Sequence, residues 1–371
     1  MQEMKSTMAE DLSPAPPRPA PPKARDLLTR RLADIVCLPS SQIAPQERWM
    51  VADVLDELLR AADVDLRAKV ARRLAQQHEA PRGLLRRLAH DRFEVAEPLL
   101  RHSQALSDFD MMDIAQSGTP RHKLEIARRE QVSETVAAAL CSSADLEVMT
   151  VLLRNPGVRF ASATMDVIVR VAAEHESIAR LLISRPEMRQ AQALALFWSV
   201  SHELRRMILD RFAASRQILQ DAAEDVFPLA AREETPDAAV REALAYIDRR
   251  QRDRKAADVT PFGSLEGLVE RAAQIGFTEE LRAEAAVLAN VQRDLLNRMI
   301  DDFGGEPLAI LAKATRLSRQ HLTSMIEGSG RMDAFNRAEQ AVLVFDTMSV
   351  DKAQTVLRYW NWVIARAARA G

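Results

Sequence analysis

The decad EVAEPLLRHS, from Glu94 to Ser103, returns with changes as HKLEIARREQ from His122 and as EVMTVLLRNP from Glu147. With Leu100, Ala127, Leu153 and Ile183 set in one column, the steps are roughly 26 to 30 residues, a period that belongs to stacked structural repeats. A unit this short has no means of burying its apolar face alone, so each must lie on the next. Each unit reads as a pair of short helices. The first ends near RHS, RRE, RNP or SRP, where Pro156 and Pro186 cannot continue a helix. The second starts from a polar cap: Ser107 with Asp110 at the capping-box spacing, Ser133 before ETVAAALC, and Ser162 before ATMDVIVRVAA. Helices at 65–76, 81–90 and 202–213 extend the array. Ahead of it, Leu27, Leu28, Leu32 and Ile35 mark one apolar stripe, and Trp49, Val51, Val54, Leu55 and Leu58 mark another. The expected fold is all-α, an α-solenoid of short helical hairpins followed by a smaller C-terminal helical domain.

Composition agrees with helices and narrows the function. Apolar residues are 47% of the chain and aromatics only 5%, so the core draws on Ala, Leu and Val, while eleven glycines leave few β-turns. A net charge of −2 does not suit a protein whose whole surface is a nucleic-acid footprint. Cys37 and Cys141 stand far apart, which fits a reducing compartment and small core residues better than a disulfide framework or a metal knuckle. The N-terminus has no apolar signal region, and no run approaches the roughly 18 apolar residues of a membrane span, so a cytoplasmic setting is expected. Four segments follow from patterning: a disordered Pro-rich arm with P-x-x-P spacing at 1–25, the solenoid at 26–231, a charged linker at 232–260, and a helical domain at 261–371.

The run from ADVDLRAKVARRLAQQHEAPRGLLRRLAHDRFEVAEPLLRHS through HKLEIARREQVSETVAAAL, followed by LLRNPGV, resembles the alphaproteobacterial family of unknown function called DUF2336. The likeness covers roughly residues 50 to 230, with a looser match beyond. It implies a HEAT-like helical-repeat protein of bacterial cytoplasm, and it implies no activity.

Chemistry of an enzymatic kind finds no foothold in the residues. The seven histidines lack H-E-x-x-H or any other short ligand spacing, and no Gly-rich phosphate loop or nucleophile elbow is present. No catalytic residue, metal site or cofactor is expected. What the sequence offers is surface. Arg67, Lys69, Arg72, Arg73, Arg82, Arg86, Arg87 and Arg92 crowd one helical pair. One place after the repeat column stand Arg101, Arg128 and Arg154, with Arg72 one repeat earlier, which predicts an Arg stripe suited to an acidic or phosphorylated protein segment. The competing reading of that stripe is local, a cation in the last turn of each helix. Trp362 falls off the apolar stripe Val356, Leu357, Trp360, Val363, Ile364 and Ala367, and is a second contact candidate. The expected function is therefore a non-enzymatic scaffold or adaptor for a protein partner. The alternative is a transcription regulator: at 307–326, Ala312, Leu317, Ser318, Leu322 and Met325 fit the buried and capping positions of a helix-turn-helix, leaving Arg319, Gln320, Thr323 and Ser324 for base edges.

Overall fold

The computed structural model describes residues 24–215, 217–235, 237–247, 251–330 and 334–370. The Pro-rich arm lies almost wholly outside the described residues. Among them the protein is all-helical, with 24 α-helices and one short 3-10 turn. The extended pairing among them is an isolated bridge between Val132 and Val158. The chain divides into two compact units, Met1–Arg159 and Phe160–Gly371.

The first unit holds α1 (Ala24–Val36), α2 (Pro45–Arg60), α3 (Val64–Leu74), α4 (Arg82–Ala89), α5 (Phe93–His102), α6 (Asp108–Ser117), α7 (Pro120–Ala127), α8 (Glu134–Cys141) and α9 (Leu146–Arg154). Alternate helices pack on one another: α3 on α5, α5 on α7, α7 on α9, and α6 on α8. The packing follows from the apolar spacing. Val95, Ala96, Leu99 and Leu100 in α5 and Val148, Met149, Leu152 and Leu153 in α9 are all buried at i, i+1, i+4, i+5. Each large side chain so buried contributes about 1.5–3 kcal/mol. Two expected caps are in place: Ser107 and Asp110 form a reciprocal capping box, and Ser133 accepts from the Val136 N–H.

The second unit holds α10 (Ser162–Ala172), α11 (Glu176–Ser184), α12 (Gln190–Leu196), α13 (His202–Phe212), α14 (Gln217–Ala222), α15 (Val226–Ala230), α16 (Ala238–Ile247), α17 (Arg254–Val259), α18 (Leu265–Ile275), α19 (Glu279–Leu288), α20 (Arg293–Asp301), α21 (Glu306–Ala314), α22 (Arg319–Gly328), α23 (Ala334–Thr347) and α24 (Val350–Ala370). Here α10 packs on α12 and α11 on α13, repeating the alternate pairing. Later, α21 is the hub, touching α20, α22, α23 and α24, while α18 covers α22.

Several expectations change. The inward faces of α1 and α2 carry Thr29, Ala33 and Val36, and Arg48, Ala52, Leu55 and Leu59. Leu27, Leu28, Ile35, Trp49 and Val54 are exposed instead. Both helices bear two apolar stripes, and only one of the two is covered. Ser162 is already helical, and Ala161 precedes it with no side chain to cap. The charged segment 232–260 contains α16 and α17. Beside them, Gln251 donates to the Ala289 carbonyl at 3.1 Å, and Arg252 donates to the Thr315 carbonyl at 2.5 Å and to Glu266 at 2.9 Å. Charges that read as solvated linker thus satisfy helix ends.

Candidate functional site

The expected stripe lies on the first unit. Arg101, Arg128 and Arg154 are exposed at the C-terminal ends of α5, α7 and α9. They do not stand free to the same degree. Arg128 donates to Glu125 at 2.6 Å, and Arg101 stands 3.6 Å from the other oxygen of the same carboxylate. Glu125 is itself only 3% exposed, and its Oε2 has no hydrogen-bond partner among the described residues. Two guanidinium groups around one carboxylate leave a net positive charge and outward N–H donors. Arg154 has no ion pair among the described residues and supplies a further positive group.

The helix ends are capped by the residue one place later, and the cap reaches backwards. Arg129 donates to the Leu100 and Ser103 carbonyls of the preceding repeat at 2.6 and 2.7 Å. Asn155 donates to the Ala127 and Arg129 carbonyls at 2.9 and 2.7 Å. In the second unit Arg211 does the same for the Ile183 and Arg185 carbonyls. These groups close the last turns of α5, α7 and α11, whose carbonyls have no partner within their own helices. Burial pulls the pKa of Arg129 below its ordinary value, with Asp108 opposing. Arg101 and Arg154 do stand in the last turns of α5 and α9, and Arg128 at the C-cap of α7, while the carbonyls themselves are bonded by the residue one place later in the following repeat.

The basic helical pair is neutralised at half of its eight positions. Arg67 forms a bidentate pair with Asp91 at 2.7 and 3.0 Å, Arg86 reaches Asp113 at 3.2 Å, and Arg73 and Arg87 pair with Asp34 and Asp56. Lys69, Arg72, Arg82 and Arg92 are exposed with no ion pair among the described residues. Cys141 is buried, and burial pushes its thiol up to about 12; Cys37 is half-buried and also raised by burial. Neither thiol is poised as a nucleophile. No group of three or more metal-ligating side chains occurs among the described residues.

The second unit contains the hairpin expected at 307–326. α21 and α22 are joined by a tight turn in which Arg316 takes the left-handed conformation, φ 59°, that usually selects glycine. Ser318 caps α22 and accepts from the His321 N–H at 3.2 Å. Ala312, Leu317, Leu322 and Met325 are buried, while Arg319, Gln320 and Thr323 are exposed and Ser324 is half-exposed. Acid stands beside this face: Arg319 is 3.3 Å from Asp346, and His321 is 3.6 Å from Glu270. Trp362 is 40% exposed on α24 with its ring 6.2 Å from that of Tyr359, whereas Trp360 is buried and donates to the Leu194 carbonyl at 3.1 Å. Val363, expected in the core stripe, is 41% exposed, whereas Val356, Leu357 and Trp360 are buried; the side chain of Ala367 lies outside the described residues.

Sequence reasoning missed an ionic centre beneath α21. Arg205 of α13 is fully buried and bidentate to Asp302 at 2.6 and 2.8 Å, with Glu306 at 2.9 Å. His202 Nδ1 lies against the other Glu306 oxygen. Arg337, 1% exposed, donates to the carbonyls of Gly304 and Asp302 at 3.1 and 3.0 Å. The backbone at Gly304 and Gly305 passes so close that a Cβ on Gly305 would fall 2.5 Å from the Arg337 carbonyl oxygen. The only signal for this centre was the glycine pair, which otherwise reads as a simple helix boundary.

The family model for an uncharacterised protein conserved in bacteria, DUF2336, matches residues 95–358. The chain belongs to this family. The DUF2336 match begins in α5 and ends in α24, so it takes in the stripe, the ionic centre and the α21–α22 hairpin, and it runs well beyond the stretch near residue 230 where the likeness seen in the sequence loosens. No curated protein and no solved structure matches the chain. No helix among the described residues is long and apolar enough to cross a membrane.

Proposed function

We propose that this DUF2336 protein is a non-enzymatic scaffold or adaptor of the bacterial cytoplasm, built as a HEAT-like α-solenoid, that binds an acidic or phosphorylated protein segment along its Arg stripe. The alternate packing of α3, α5, α7 and α9 supports the solenoid, because stacked hairpins must pair their helices in this way. The observation that carries the binding reading is Glu125 held between Arg101 and Arg128. A buried carboxylate fixes two guanidinium groups in place at lower entropic cost than free surface arginines, and one positive charge is left over for a ligand oxygen. Arrays of acidic and phosphorylated peptides, read by fluorescence anisotropy against the full chain, test it. Replacing Arg101, Arg128 and Arg154 together by Gln, with Glu125→Gln so that no buried carboxylate is left unpaired, abolishes binding while the melting temperature falls only modestly. Unchanged binding in that variant, or a large loss of stability, assigns these arginines to structure instead.

A second reading is favoured by the Ser318 cap and the exposure of Arg319, Gln320 and Thr323 on the first turns of α22: a DNA-binding regulator. The acids at Asp346 and Glu270 count against it, since phosphate contacts need net positive charge. Anisotropy of the full chain with mixed-sequence DNA separates the two. Steep loss of binding with salt, abolished by Arg319→Ala with Gln320→Ala, supports the regulator; no binding at low salt removes it.

A further inference from the structure

Trp49 is 66% exposed at the head of an open groove of about 940 Å³. One wall of the groove is α2; the other is the stretch 78–84 with Arg87 of α4. It lies wholly within the first unit, and no residue of α1 lines it. Gly83, on the second wall, has nothing within 4 Å of where a Cβ would stand, so the space beside it can take a chain. Of the carboxylates at the edge, Asp56 is held by Arg87, Glu79 lies 2.8 Å from Arg48, and Glu57 stands 3.5 Å from Arg60. Asp53 has no ion pair among the described residues, and neither has Arg82 on the opposite wall. The acid gathers on the α2 side: that helix carries Glu47, Asp53, Asp56 and Glu57 against Arg48 and Arg60, a net charge of −2.

We infer that this groove binds the chain's own Pro-rich arm, residues 14–23, with its prolines laid on the Trp49 ring. Chemistry selects this occupant first. From Leu12 to Lys23 the sequence holds six prolines and two charges, Arg18 and Lys23, both positive, while the acids Glu3, Glu10 and Asp11 come earlier. Proline-rich segments dock on exposed aromatic rings because their fixed φ leaves little entropy to lose, and two cations suit a helix with two excess carboxylates. Reach selects it again. The Leu38 carbonyl, just past α1, accepts from Arg48 in the first turn of α2 at 2.7 Å, so the packed helices run antiparallel and Ala24 stands level with the last turns of α2. From there, crossing α2 takes about 10 Å, and following it from Arg60 back to Trp49 takes about 16 Å. At about 3.1 Å per residue of polyproline II, the path uses about eight residues and brings Pro16 and Pro17 to Trp49. Arg18 then falls beside Asp53, which stands one turn on from Trp49 and lacks a partner among the described residues. A segment tethered to the neighbouring helix is present at an effective concentration in the mM range, ahead of any free proline-rich ligand.

Acrylamide quenching of the full chain tests this. Trp49 is one of four tryptophans, so its signal is the emission of the parent less that of Trp49→Phe. Trp49 is expected to be shielded, and Pro16→Ser with Pro17→Ser raises its quenching by about twofold or more. Asp53→Lys raises it as well, and Asp53→Lys combined with Arg18→Glu restores the shielding, since the reversed pair still meets. Trp49 and Asp53 are exposed, so melting temperatures stay near that of the parent chain and loss of shielding is not loss of fold. A Trp49 as open to quencher in the parent as in the proline variant overturns the inference. Shielding that survives the proline changes also overturns it and assigns the cover to another segment. Shielding that grows with protein concentration from about 1 to 100 μM overturns it in favour of a second copy. A double charge reversal no better shielded than Asp53→Lys alone removes the placing of Arg18 and sinks the register argued here.

Discussion

The helix ends of the first unit and the interior of the second both rest on arginine, by different means. Arg129 lays its guanidinium on neutral carbonyls and remains half-buried, so water can replace it when it is lost. Arg205 is sealed from water between Asp302 and Glu306, and nothing can replace it. Carbonyl caps are graded contributions, whereas a buried ionic cluster is close to all-or-none, because removing one member leaves uncompensated charge in low dielectric. The difference teaches that charged residues in this chain must be judged by their partners and depth, since adjacent ones such as Arg128 and Arg129 hold a buried carboxylate and a neighbouring repeat's backbone respectively.

The sharpest break of that comparison is Arg205→Leu. With two carboxylates left buried, unfolding by urea should show a loss of about 3–5 kcal/mol. A loss under about 1 kcal/mol, the level of a surface pair, would place both regions in one class. Next comes Arg129→Ala, expected to cost about 1–3 kcal/mol through the uncapped carbonyls of α5, against no more than about 1 kcal/mol for Arg154→Ala, an exposed member of the stripe with no ion pair among the described residues. Equal costs at the two positions would erase the distinction between stripe and cap. On α24, Trp362→Ala should leave the melting temperature within a degree or two, consistent with a side chain that leaves 40% of its surface to solvent, while a core role would cost about 3–5 kcal/mol. The smallest effect belongs to the solvent-exposed pair of Arg180 and Glu203, bonded at 2.6 and 2.8 Å. Its hydrogen bonds to Arg180 hold the Glu203 carboxyl below its ordinary value of 4.5. A depressed folded-state pKa stabilises above that ordinary value and fades as pH falls through the lower one. Glu203→Gln should therefore lower neutral-pH melting only slightly and by the same measure flatten its decline in acid, with a smaller difference from the parent chain at high salt.

Local features were legible in the sequence, and distant ones were not. The repeat column, the caps at Ser107 and Ser133 and the α21–α22 hairpin are written in neighbouring residues, and all lie where the spacing puts them. Arg101, Arg128 and Arg154 stand at the helix ends where the spacing puts them, but the carbonyl bonds fall to the residue one place later in the following repeat. Positions one and two after the column differ by about 100° around the helix end, and only the stacking of repeats decides which faces a neighbour. The double stripes of α1 and α2 posed the same difficulty, since periodicity gives a face but not which of two faces is covered. The ionic centre was beyond reach: Arg205 is separated from Asp302 and Glu306 by 97 and 101 residues, and no local pattern links them.

The backward-reaching caps also bear on synthesis. The last turn of α5 waits for Arg129, 29 residues beyond Leu100, and that of α7 waits for Asn155, 28 residues beyond Ala127. A nascent chain therefore always carries one unfinished helix at its growing edge, closed only when the following repeat clears the ribosome. A chain terminated early keeps that edge frayed, whatever the quality of the repeats before it.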